Sequence, residues 1–250
     1  MPVTMSIDGT DLATQGIYAS GTFRDWLSSP RFRRASVRSP GSAIGSVSAI
    51  SETEDRVLLV PLRVDGNPAS SLSAIRTAED WLKAKVDSLI TFRMADGVNT
   101  REIAGYLDRV DLEPMHALPT PAVRCTIEVT CPDVHWKATS QTSVSLNGTP
   151  AALAYGTAPV EDWVLVVSGA FTNLTLTLAG QVMTWTGSRT AGQTLTIDAG
   201  RGMVYDNTNA NQFSGIAGAF PILPAAAATG AITYTSGTPT ATLTYYRRYR

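Results

Sequence analysis

The chain has 250 residues, 44% of them hydrophobic and 16% charged, with a formal net charge of −1. That length buries a substantial core in one or two domains, and the near-neutral balance excludes a global electrostatic pull toward nucleic acid or anionic membrane. No apolar run approaches the ~20 residues of a membrane helix, and the opening MPVTMSIDGTDLATQGIY lacks a basic stretch followed by an apolar core, so synthesis and folding in a cytoplasm are expected.

Charge divides the chain in two. Residues 1–140 hold 15 basic and 17 acidic side chains, whereas 141–250 hold only 5 and 4. The change follows CPDVHWKATSQTS, which places a domain boundary at 140/141. In the first half, RVLLVPLRVDG (56–66) reads as a mostly apolar strand ending in an Asp65-Gly66 turn. The stretch 70–92 carries Leu72, Ile75, Ala78, Leu82, Val86 and Leu89 at spacings of three and four, which predicts a helix over 71–89 with one apolar stripe. Ser70 or Ser71 is placed to cap it, with Pro68 just outside. Two strands are expected around Asp96-Gly97, and another over AVRCTIEVTC, where Val123, Cys125, Ile127 and Val129 alternate. One helix among antiparallel strands is an α+β domain.

The second half shows no helical period. WVLVVSG, LTLTLAG, VMTWTG, QTLTIDA, GMVYD, GAITYTSG and TATLTYYRRY follow one another at short spacing, divided by Gly, Asn and Pro. That is the pattern of an all-β sandwich or jelly roll. In LTLTL (174–178) the leucines point inward and the hydroxyls outward. TIDAGRGMVYDN reads as a hairpin in which Gly200 and Gly202 supply unusual backbone angles.

Catalytic chemistry is thinly represented. The two histidines, His116 and His135, sit between proline-flanked segments, and no nucleophile elbow, phosphate loop or zinc-protease motif is present. GSAIGS (41–46) reads as a turn. Glu161, Asp162, Asp198 and Asp206 are the second half's acids, and Asp198 stands where a short acid accepts turn amides, against a glycosidase pair. DNTNANQ (206–212) offers one carboxylate among amides, a polar loop more than a calcium site. Cys125 and Cys131 lie six residues apart, about 20 Å on a strand at ~3.3 Å per residue, so two reduced thiols are expected, with neither disulfide nor zinc. The densest charge lies in FRDWLSSPRFRRASVR, with Arg24, Arg31, Arg33, Arg34 and Arg38 interleaved with aromatics. It can meet nucleic-acid phosphates or pair with an acidic neighbour such as SETED (51–55).

The order of motifs carries a further signal. CTIEVTCPDVHWKA closes the first half. VSGAFTNLTLTLAGQ, LTIDAGRGMVYDN, FSGIAGAFPILPA and AITYTSGTPTATLTYYRRYR then follow, and DLATQGIYAS with VRSPGSAIGSVS opens the chain. This series resembles the distal tail protein family of long-tailed bacteriophages and phage-like particles. LPAAAATG stands where many relatives have a Pro-Gly turn, and no large insertion interrupts the second half.

The resemblance implies a mainly β protein. Its N-terminal domain, 1–140, would be α+β, one helix on an antiparallel sheet or split barrel, and 141–250 a galectin-like β-sandwich. It further implies a structural virion protein without catalytic activity, cofactor or metal, a homo-hexameric ring at the tail tip assembled in the host cytoplasm. Its partners would be the tail tube protein and the baseplate hub or tail-tip protein, with DNA passing through the lumen and no membrane involved. On that reading the arginines of 24–38 lie at a ring interface or face the lumen, and Trp163, Trp185 and Tyr205 form an outer docking surface. The alternative is a carbohydrate-binding module for host-surface attachment, in which those three rings stack on sugars.

Overall fold

The computed structural model describes residues 3–20, 32–35, 50–53, 56–65, 72–95, 97, 99–114, 123–133 and 135–249, with the backbone alone at 32–35, 50–53 and 114. The chain forms two compact units that divide at 136/137. Both are mainly β, and the one α-helix among the described residues is in the first.

Unit 1 comprises β1 (Thr4–Ile7), β2 (Thr10–Asp11), β3 (Ile17–Ala19), β4 (Phe32–Ala35), β5 (Ile50–Thr53), β6 (Arg56–Val64), α1 (Leu72–Lys83), β7 (Leu89–Ala95), β8 (Thr100–Pro114) and β9 (Val123–Cys131). The main sheet is antiparallel, in the order β2-β1-β7-β8-β9-β6-β3, while β4 and β5 form a separate ribbon. β7 and β8 are the expected hairpin, and the long β8 pairs with β7 through its first half and with β9 through its second.

Alternation along β6 and β9 buries Leu58, Val60, Leu62 and Val64 beside Cys125, Ile127, Val129 and Cys131. α1 packs on β6 and contributes Ile75, Ala78 and Leu82 to this core. The helix is shorter than the apolar period predicts, and its stripe is narrower. Leu72, at its first turn, is 66% exposed. After Lys83 the chain turns, Asp87 adopts a left-handed φ of 62°, and its amide donates to the Leu107 carbonyl at 2.8 Å. That tie to β8 ends the helix before Val86 and Leu89 can join its face, and Leu89 opens β7 instead. The expected Ser70/Ser71 cap lies outside the described residues.

Cys125 and Cys131 are free thiols on the buried face of β9. Burial pushes the Cys125 thiol up to about 12.

Unit 2 contains β10 (Trp136–Ala138, of which Lys137 and Ala138 belong here), β11 (Thr142–Leu146), β12 (Ala151–Leu153), β13 (Val164–Ser168), β14 (Phe171–Leu178), β15 (Gln181–Arg189), β16 (Thr194–Asp198), β17 (Met203–Asp206), β18 (Ile216–Ala217), β19 (Ala228–Gly237), β20 (Thr240–Tyr245) and β21 (Arg248–Tyr249). Two five-stranded antiparallel sheets, β11-β20-β13-β16-β17 and β12-β19-β14-β15-β18, share one core. In β14 the leucines at 174, 176 and 178 are buried and the intervening threonines half-exposed, the alternation a sandwich strand requires.

The β16–β17 hairpin forms as expected, but its two glycines act differently. Gly202 has a left-handed φ of 60°, the freedom that glycine supplies. Gly200 instead gives clearance, since a methyl group there would stand 3.0 Å from the Asp162 Cβ.

Candidate assembly surfaces

In a strand with one covered face, apolar residues should keep to one parity. β6 does not: Val57 and Leu59 point away from α1, opposite in parity to Leu58 and Val60. The ladder sets Leu89, Tyr106, Thr130 and Val57 directly opposite one another across β7, β8, β9 and β6. Leu59, two residues beyond Val57, extends this row along β6.

Val57, Leu59, Leu89 and Tyr106 keep 45%, 53%, 59% and 48% of their surface exposed, a mostly apolar row interrupted by Thr130 and with Glu128 opposite Leu59, on a sheet face that no described element covers. Around it the charges neutralise one another. Arg93 donates to Glu102 at 2.9 Å, Arg109 to Asp111 at 2.6 Å and Arg63 to Asp65. An apolar centre inside a rim of satisfied polar groups is the anatomy of a protein interface. The doubly apolar run VLLVPL was the available sequence signal.

The arginine cluster behaves differently. Arg24, Arg31 and Arg38 lie outside the described residues. The backbone of Arg33 and Arg34 runs in β4, where Arg33 stands opposite Glu52 and Arg34 opposite Ser51.

In unit 2 the three aromatics do not form one outer surface. Trp163 is fully buried, and its Nε1 donates to the Pro221 carbonyl at 2.6 Å. Trp185 is buried against Phe171, with ring centroids 5.7 Å apart, and its Nε1 donates to the Gln212 carbonyl at 3.2 Å. Tyr205 is half-exposed on β17. The expectation of an exposed Trp163 and Trp185 is therefore corrected: both rings fill the sandwich core, and two of the three faces for stacking on a sugar are lost. Exposed apolar residues of unit 2 lie instead at Tyr155, Val182, Met203, Phe213 and Ile222, and the Phe213 ring sits 6.2 Å from that of Phe220.

Three acids of unit 2, Asp162, Asp198 and Asp206, are engaged in structure. Asp162 accepts from Arg248 at 3.0 Å, and Asp198 accepts the Arg201 amide at 3.0 Å. One oxygen of Asp206 accepts from the Thr208 hydroxyl and amide and from the Ala210 amide, and the other from Gln212. The Thr208 hydroxyl bond is the largest influence holding the Asp206 carboxyl below its ordinary pKa of 3.8; the backbone amides and Arg189 act in the same direction. Among the described residues no group of three or more His, Cys, Asp or Glu side chains converges to hold a metal ion.

No protein-family model matches the sequence, and no curated protein matches it significantly. Among solved structures, the fold corresponds to that of the Dit protein of phage SPP1, described as a paradigm of the hub adsorption apparatus in phages infecting Gram-positive bacteria. That likeness spans 100% of both chains with a TM-score of 0.72 at 13% identity. Chains of the phage P2 baseplate in its activated conformation, with Ca and with Sr, match over 98% of each chain at 9% identity. Their TM-scores of 0.43 and 0.42 are too low to argue a shared fold.

Proposed function

We propose that this chain is a distal tail hub protein, a structural component of a phage tail tip. Six copies of unit 1 close head to tail into a ring that continues the tail tube and joins it to the baseplate or tail-tip proteins. DNA passes through the lumen. The observation that carries this reading is the full-length fold correspondence with the Dit protein of SPP1. The exposed apolar row of unit 1 supports it independently, because a head-to-tail ring requires a surface that a neighbouring copy covers. The arginines of 24–38 are placed, on this proposal, at the ring interface or the lumen.

The test is native mass by light scattering with negative-stain imaging. Six chains of 26.6 kDa give about 160 kDa, and a ring with a central hole is expected. A protein that stays monomeric at high concentration and never associates with tube or tail-tip proteins would refute the reading. Replacing Arg33 and Arg34 by Glu is expected to weaken the oligomer; unaltered assembly would remove these arginines from the interface.

A further inference from the structure

In unit 2, β18 covers only the first part of β15's outer edge, pairing at Thr184 and Trp185. β15 continues to Arg189, and among the described residues no strand lies on that side of its last part. There a groove of about 410 Å³ opens between Thr186–Ser188 and the segment 212–217, within the size range of ligand sites. Gly187 donates its amide inward to the Asn173 Oδ1 at 3.1 Å, where β15 bulges against β14, and beyond that bulge no strand among the described residues pairs with the outer edge of β15.

Two glycines bring the walls together. A methyl group on Gly187 would come within 2.5 Å of the Trp185 ring, and one on Gly215 within 2.6 Å of the Thr186 carbonyl oxygen. The lining contains the hydroxyls of Thr186, Ser188 and Ser214 and no charged side chain. Arg189 is not part of the lining; its guanidinium lies 3.7 Å from Asp206 and over the Trp185 ring. The buried indole of Trp185 presents no face on which a sugar could stack.

We propose that this groove takes an extended, uncharged peptide segment of another protein, which adds as a strand to the free edge of β15. The open edge of β15 beyond Trp185 supplies main-chain hydrogen bonds, and the hydroxyl-bearing residues of the lining meet polar side chains of the added segment.

The experiment is hydrogen–deuterium exchange on the full chain, with and without a millimolar capped heptapeptide of alternating Thr and Val. Slowing by about fivefold is expected at 186–188, the effect of roughly one added hydrogen bond, and it should vanish in Ser214→Trp, whose indole fills the groove. Ser214 is exposed, so that variant should fold. Absent slowing in the wild type, or equal slowing in Ser214→Trp, overturns the proposal. Protection by maltoheptaose and not by the peptide also overturns it, in favour of a sugar.

Discussion

Asp206 shows how one carboxylate organises a loop that looked in the sequence like a potential ligand set. Its four accepted hydrogen bonds face inward to Thr208, Ala210 and Gln212, so its charge is committed to the fold. Because its pKa is depressed in the folded state, the stabilisation is present above the ordinary value of 3.8 and is lost as pH falls through the lower folded value. The difference in melting temperature between wild type and Asp206→Ala should be full at about pH 6 and shrink toward about pH 2; a pH-independent difference would contradict this. Leu82, fully buried under α1, makes a harsher test. Leu82→Asp buries an unpaired charge and should unfold unit 1, visible as lost circular dichroism. In unit 2, Trp163→Ala removes a fully buried indole and is expected to cost about 3–5 kcal/mol in chemical denaturation. These positions differ in legibility. Leu82 stood in a helical stripe, but the burial of Trp163 depends on Pro221 and Phe220, some sixty residues away, which local pattern does not encode.

At the level of elements, parity decides what a strand does. LTLTL was readable because Leu and Thr alternate, and the same rule applied to VMTWT puts Met183 and Trp185 together on the inside, as found. The expectation of an exposed Trp185 took the ring's chemistry as the guide where its position in the alternation was the stronger signal. β6 is the reverse case, since both parities are apolar and one chain covers one of them. Leu58→Asp should therefore abolish folding of unit 1. Leu59→Asp, one residue on, should leave the circular dichroism unchanged and reduce the native mass. Equal loss of folding in both variants would mean that β6 has no free face. The end of α1 was hidden for another reason: its apolar period runs on to Leu89, and the backbone bonds of Asp87 and Ser88 to Leu107 of β8 break it.

For the whole molecule, the charge asymmetry in the sequence and the structural division lie close together, at 140/141 and 136/137. Each unit has its own core, so a chain restricted to 137–250 is expected to fold as an all-β protein with a cooperative thermal transition; a fragment without one would show that unit 2 needs its neighbour. The mainly β architecture and the helix α1 were legible because hydrophobic period and turn residues are local properties. The assembly surface was less so, because an exposed apolar row exists only once four strands are in register. The two thiols have a practical consequence at this scale. The Cys125 thiol, held near 12, is ionised in roughly one molecule in 10⁵ at neutral pH, and the thiolate is the nucleophile that reacts with peroxide and alkylating reagents. With both sulfurs also sealed inside unit 1, two free thiols per chain should still be counted by thiol titration of the unfolded protein after long storage in air without reductant.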